Sequence, residues 1–265
     1  MKPDDLTAQP VWSDDPVLAG LLAEAAADPE TIALALSGSR SAGRGHPDSD
    51  YDVLWVLTDA AYARRQAEGT PLELDRGNPG GARVDLWCVC PRELARIAAA
   101  PSWVTPGLAT SRVLLDKTGE ATAGLSAIAT LSEEKARADA AASLDAYLNG
   151  FYRSLKASRR GDELGARLEA AESAMYLVRT LFSLERQWPP YHDRLGPRLA
   201  SLESQGWPPG YLEEALLSLL RTADPRLQVE LEIRVESLIR ARGLGGVPDA
   251  WGDDLENEKA RYPKE

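Results

Sequence analysis

Apolar runs of strand length are confined to the first 120 residues or so of this chain, and that division limits its folds more than any other feature. Thr31–Ser37 runs TIALALS into Gly38, Tyr51–Leu57 runs YDVLWVL, Ala82–Val89 runs ARVDLWCV, and Ser111–Leu115 precedes the turn Lys117-Thr118-Gly119. Such short runs, bounded by turn residues and rich in β-branched and aromatic side chains, read as buried strands. Between the second and third, Thr70–Gly81 holds Pro71, Gly77, Pro79, Gly80 and Gly81 and reads as a loop. Asp14–Ala27 reads as a helix, since Pro16 follows a pair of aspartates suited to an N-cap.

Beyond about residue 130 the spacing of apolar residues changes to three and four. Ser132 opens a helix to Arg160 whose Leu144, Tyr147, Leu148, Phe151 and Leu155 line one face. Gly161-Asp162 breaks it. Asp162–Gln187 forms a second helix with a stripe of Leu164, Leu168, Met175, Leu177, Leu181 and Leu184, stopped by Pro189-Pro190. Tyr211–Thr222 and Pro225–Arg242 are further helices, and the polar tail from Asp249 is expected to pack loosely. The expectation is an α+β chain: a mixed-sheet domain over residues 1–125, then an all-α bundle of four or five helices over residues 126–265.

Charge and composition narrow the partners. Lys and Arg number 30 against 41 Asp and Glu, a net charge of −11. Nucleic-acid affinity comes from clustered cations that release counterions, so a polynucleotide partner is not expected. No apolar run approaches the roughly 20 residues that span a bilayer, and no signal peptide is read at the N-terminus. Cys88 and Cys90 alone make no disulfide framework and no second pair completes a zinc site, so they read as core packing. A soluble cytoplasmic protein without a membrane partner is the expectation.

One segment carries chemistry. Leu36-Ser37-Gly38-Ser39 ends a strand, a polar loop follows, and the next strand opens Asp50-Tyr51-Asp52. Residues two apart on a strand share a face, so Asp50 and Asp52 point the same way. Two such carboxylates repel unless a cation joins them, and hard ions such as Mg²⁺ take carboxylate oxygens together with substrate phosphates. Gly38 leaves the backbone open to a phosphate and Ser39 offers a hydroxyl. Asp85, flanked by Val84 and Leu86, joins the pair if its strand neighbours that of residues 51–57.

Gly38-Ser39, a gap of ten residues (40 to 49), Asp50-x-Asp52 and a third acid on a later strand together resemble the signature of the polymerase-β-like nucleotidyltransferase superfamily. The likeness covers roughly residues 30–120. With an all-helical domain following, the chain is similar to small-molecule nucleotidyltransferases of the aminoglycoside and lincosamide type. That resemblance implies a nucleotidyltransferase domain in which Asp50 and Asp52 bind Mg²⁺, Asp85 is the third ligand or the general base, and Gly38 and Ser39 hold the nucleotide phosphates. It implies transfer of a nucleoside monophosphate from ATP, or another NTP, to a hydroxyl of a small molecule, with pyrophosphate released. The acidic chain suits a cationic acceptor such as an aminoglycoside. A protein-modifying adenylyltransferase of the antitoxin kind and a non-catalytic nucleotide-binding module are the alternatives.

Further residues are weighed against plain structural roles. Arg44, beside Gly45, is assigned to the triphosphate, with Arg40 evenly balanced between phosphate contact and solvated loop. Lys156, near Tyr152 and Arg153 on the first long helix, is assigned to the nucleotide phosphates. His46 reads as loop packing. Glu169 and Glu172 are weaker candidates for the base, and Trp188-Pro189-Pro190-Tyr191-His192 reads as a packing corner rather than an acceptor pocket.

Overall fold

The computed structural model describes residues 15–41, 49–77, 83–192, 195–203 and 206–263. The chain divides between Thr130 and Leu131 into two compact units. The first contains α1 (Pro16–Ala27), β1 (Thr31–Leu36), α2 (Gly38–Ser41), β2 (Tyr51–Leu57), α3 (Asp59–Glu68), β3 (Glu73–Arg76), β4 (Val84–Val89), α4 (Pro91–Ala99), α5 (Thr105–Leu108), β5 (Arg112–Asp116) and α6 (Glu120–Ala129). Residues 125 and 126, the expected domain boundary, both lie within α6.

The sheet order is β3-β4-β2-β1-β5, with β2 and β4 parallel and the other pairs antiparallel. Leu34, Leu36, Val53, Trp55 and Leu86 pack on one face with Leu18, Leu21 and Ala25 of α1. Ala33, Ala35, Leu54, Val56 and Val89 pack on the other with Leu94 and Ile97 of α4 and Leu125 and Ile128 of α6. Cover on both faces is why β1 and β2 read as continuous apolar runs. The stretch read as a loop, Thr70–Gly81, contains β3. That strand, Glu-Leu-Asp-Arg, is half-exposed and lies at the sheet edge, so pairing with β4 makes it a strand and apolar burial does not. Asp15 caps α1, its Oδ1 accepting from Val17 N at 3.0 Å and Leu18 N at 3.2 Å.

The second unit contains α7 (Glu133–Arg159), α8 (Glu163–Leu184), α9 (Leu195–Glu203), α10 (Tyr211–Thr222), α11 (Pro225–Ala241), α12 (Gly246–Asp249) and α13 (Asp253–Lys259). Ser132 caps α7 and Asp162 caps α8. The face expected on α7 is buried as read. On α8 only the C-terminal part is: Leu177 and Leu181 are buried as expected, but Leu164, Leu168 and Met175 are exposed, and Ala166, Ala170, Ser173, Ala174 and Val178 complete the buried face. The reason is close approach. A Cβ on Gly150 would lie 3.1 Å from Glu169 O and 3.1 Å from Ser173 Cβ, so α8 turns its small residues, not its largest, toward α7. Gly150→Leu is therefore expected to destabilise this unit by about 2–3 kcal/mol through overpacking, read as a lowered urea midpoint.

The tail expected to pack loosely is anchored. The indole of Trp251 donates to Asp145 Oδ1 at 3.0 Å, and Tyr262 OH donates to Leu155 O at 3.3 Å. Lys259 is buried on α13, where Glu232, Glu236 and Glu256 surround its ammonium at 3.1, 2.9 and 2.5 Å. Mutual neutralisation buries residues that in sequence read as surface. Among the described residues no helix is long and apolar enough to cross a membrane.

Candidate active site

β1 delivers Ser37 and Gly38 to the edge of the acidic group. Ser37 N donates to Asp52 O at 2.7 Å, extending the β1–β2 ladder by one rung, and its hydroxyl donates to Gly107 O at 3.1 Å. The chain then turns through Gly38 at φ 67°, left-handed backbone that glycine adopts without strain, into the single turn α2. A Cβ at Gly38 would overlap Asp52 Oδ2 and sit 2.7 Å from Asp52 Cγ. The group that uses the missing side chain here is the Asp52 carboxylate. Ser39 follows on α2, half-buried.

Asp52 and Asp85 are register partners on the parallel strands β2 and β4, and Asp85 and Asp75 are register partners on β4 and β3. Neighbours in register share a face, so Asp75, Asp85 and Asp52 form one acidic row across three adjacent strands. Asp50 precedes β2 by one residue and is exposed; the ladder begins beside it, where Tyr51 N donates to Arg83 O at 2.8 Å. Arg83 closes the group. Its Nη2 donates to Asp85 Oδ2 at 2.9 Å, with Asp75 Oδ2 at 3.6 Å from Nη1 and Asp50 Oδ2 at 4.0 Å from Nε. The Asp85 hydrogen bond and the surrounding carboxylate charge raise the guanidinium further above its ordinary value.

Among the described residues no three His, Cys, Asp or Glu side chains are grouped so as to enclose a metal ion by themselves. Mg²⁺ seldom needs that: it is held by one or two carboxylates and completes its shell with water and substrate phosphates. The Asp52–Asp85 pair, all-oxygen and side by side, fits such an ion in donor chemistry.

Arg40, evenly balanced between phosphate contact and solvated loop, is bonded to the backbone just before β2. Its Nε and Nη2 donate to Ser49 O at 2.9 and 2.6 Å, and its guanidinium lies 3.9 Å from the centre of the Tyr51 ring. Tyr51 OH in turn donates to Asp15 Oδ2 at 2.7 Å, tying this staple to the cap of α1. Arg44 and His46 lie outside the described residues. Cys88 and Cys90 are both buried, and burial pushes both thiols up.

Lys156 belongs to the helical unit. Its ammonium is 3.5 Å from Tyr152 OH and 4.7 Å from that ring's centre. With Arg153, Arg160, Asp162 and Glu169 it lines an open cavity of about 290 Å³ between α7 and α8. Glu169, weighed as a base, is ion-paired to Arg153 Nε at 3.2 Å, and Glu172 is exposed on α8.

Two members of the group do not stand out from the sequence. Arg83 is two before Asp85 and so shares its face, a legible signal. Asp75 is hidden because Glu-Leu-Asp-Arg reads as loop.

No protein-family model matches the chain, and no curated protein matches it significantly. Among solved structures it is similar to a nucleotidyltransferase-like protein from Exiguobacterium sibiricum 255-15, at 15% identity and a TM-score of 0.41, covering 92% of this chain and 73% of that one. At that identity and score the likeness carries no functional argument.

Proposed function

We propose that the chain is a metal-dependent nucleotidyltransferase that moves a nucleoside monophosphate, AMP in the first instance, from an NTP to a hydroxyl of a small molecule. The observation that carries this reading is the in-register pair Asp52–Asp85, with the Asp52 carboxylate lodged against Gly38. Asp50, Asp52 and Asp85 would hold Mg²⁺, which on binding neutralises phosphate charge and lowers the pKa of the acceptor hydroxyl. The acceptor oxygen forms a bond to the α-phosphorus as the bond to the β-phosphate oxygen breaks, and pyrophosphate leaves. Asp85 completes the metal site or takes the acceptor's proton. Gly38 and Ser39 would border the phosphates, and Arg44 would add positive charge to bind them. Positioning and charge neutralisation then account for the rate. A cationic acceptor, an aminoglycoside for instance, suits a chain of net charge −11.

Calorimetric titration with a non-hydrolysable ATP analogue tests the reading. Binding is expected with Mg²⁺ and lost, by at least about tenfold, in Asp50→Ala/Asp52→Ala. No binding of ATP, GTP, CTP or UTP analogues by the wild type would sink the proposal. Binding without pyrophosphate release on any acceptor would leave a nucleotide-binding module. A one-nucleotide mass gain on a co-purified protein would point to protein modification.

A further inference from the structure

The acidic group already contains a cation of its own. Arg83 stands among Asp50, Asp75 and Asp85, carboxylates from three different segments, and makes its shortest contact to Asp85. All four side chains are well exposed, from 37% at Asp85 to 58% at Asp75. Exposed ion pairs of this kind contribute little to stability and exchange readily. Asp85 Oδ2, which the proposed reaction needs for metal or proton, is the atom that Arg83 holds.

We propose that Arg83 is a resident counter-ion that competes with the divalent cation for Asp85, and that Asp75 is the fourth carboxylate setting the balance between them. This rests on the reading of Asp50, Asp52 and Asp85 as the metal-binding acids. In the metal-free state Arg83 neutralises the row and keeps Asp85 and Asp75 from repelling each other across the β3–β4 rung. Asp85 would release the guanidinium to a divalent ion bound with nucleotide, which carries twice its charge. Arg83 therefore sets how much metal the site takes up before nucleotide is present. It is a positioning residue: it acts through Asp85 and needs no contact with the reacting atoms.

Mn²⁺ titration of the full chain without nucleotide, followed by the electron paramagnetic resonance of the free ion, tests this directly. Removing one positive charge within about 5 Å of a divalent ion is expected to tighten binding about tenfold in Arg83→Gln. Arg83→Lys keeps the charge but not the fork of donors, and is expected to fall between Gln and wild type. Asp75→Asn removes a competing anchor for Arg83, frees the guanidinium for Asp85, and is expected to weaken Mn²⁺ binding about threefold. Both positions are exposed, and unchanged circular dichroism spectra confirm folding. Wild type that binds Mn²⁺ as tightly as Arg83→Gln overturns the counter-ion role while leaving the metal site intact. Failure of every variant and the wild type to bind Mn²⁺, with or without ATP analogue, overturns the underlying reading and this inference together.

Discussion

Gly38→Ala is expected to abolish Mg²⁺-dependent nucleotide binding, whereas Gly69→Ala leaves it intact. Both glycines have φ 67°, so the backbone penalty of adding a methyl group is the same at each, about 1–2 kcal/mol. Their surroundings differ. Nothing lies within 4 Å of a Cβ at Gly69, which ends α3, while a Cβ at Gly38 overlaps the Asp52 carboxylate. Asp52 would have to leave its place beside Asp85, or the turn into α2 would have to open. The expected cost at Gly38 is about 2–4 kcal/mol in stability, against about 1 at Gly69, together with at least a hundredfold weaker binding of ATP analogue. Parallel calorimetric titrations and thermal unfolding of the two variants decide it. Equal nucleotide affinity in both would show that the seat of Asp52 against Gly38 does not matter to the ligand.

The second large effect lies in the helical unit. Lys259→Met keeps most of the side-chain volume but leaves Glu232, only 1% exposed, without its cation. Glu236 keeps Arg240 as a partner at 2.8 Å. Breaking a buried pair from one side costs about 3–5 kcal/mol. That cost depends on pH. Burial, opposed by Lys259, raises the Glu232 carboxyl from 4.5 to about 7. Between those values the native protein binds a proton that the unfolded chain has released, so stability falls as pH rises through the interval and levels off above it. Without Lys259 the carboxyl titrates higher still. The loss in Lys259→Met is thus expected to be large at pH 8 and much smaller at pH 6, where Glu232 takes up a proton. Lys259→Met/Glu232→Gln is expected to recover most of the deficit at pH 8. Urea unfolding of the helical unit at the two pH values measures this; an equal loss at both would rule out Glu232 as its origin.

What the sequence makes legible follows from what it encodes locally. β1 and β2 are visible because burial on both faces demands continuous apolar runs, β4 and β5 because their short apolar runs are bounded by turn residues, and α7 and α11 because their caps announce them. β3 is invisible because nothing in Glu-Leu-Asp-Arg demands a strand until β4 offers its edge. The face of α8 is misread because hydrophobicity favours Leu164, Leu168 and Met175, while the approach at Gly150 favours alanine and serine. The tail is misread because a lysine inside three carboxylates looks, one residue at a time, like surface. For the candidate site, Asp50, Asp52 and Asp85 stand out by spacing and flanking residues. That Asp52 and Asp85 are abreast depends on β2 and β4 being parallel neighbours, a long-range fact. Arg83 as their counter-ion depends on it in turn.

The parallel pairing of β2 and β4 has one more consequence. Each strand is hydrogen-bonded on both sides, β2 by β1 and β4, and β4 by β2 and β3. The separation between the Asp52 and Asp85 backbones is therefore the interstrand spacing itself, about 4.8 Å in any sheet. Such a gauge is built into the peptide ladder and needs no loop to close and no ligand to set it. Drift in the length or composition of the connecting segments leaves it unaltered so long as the rungs hold. The two carboxylates would thus be spaced for a shared ion before any ion arrives, leaving the surrounding loops free to diverge toward different acceptors.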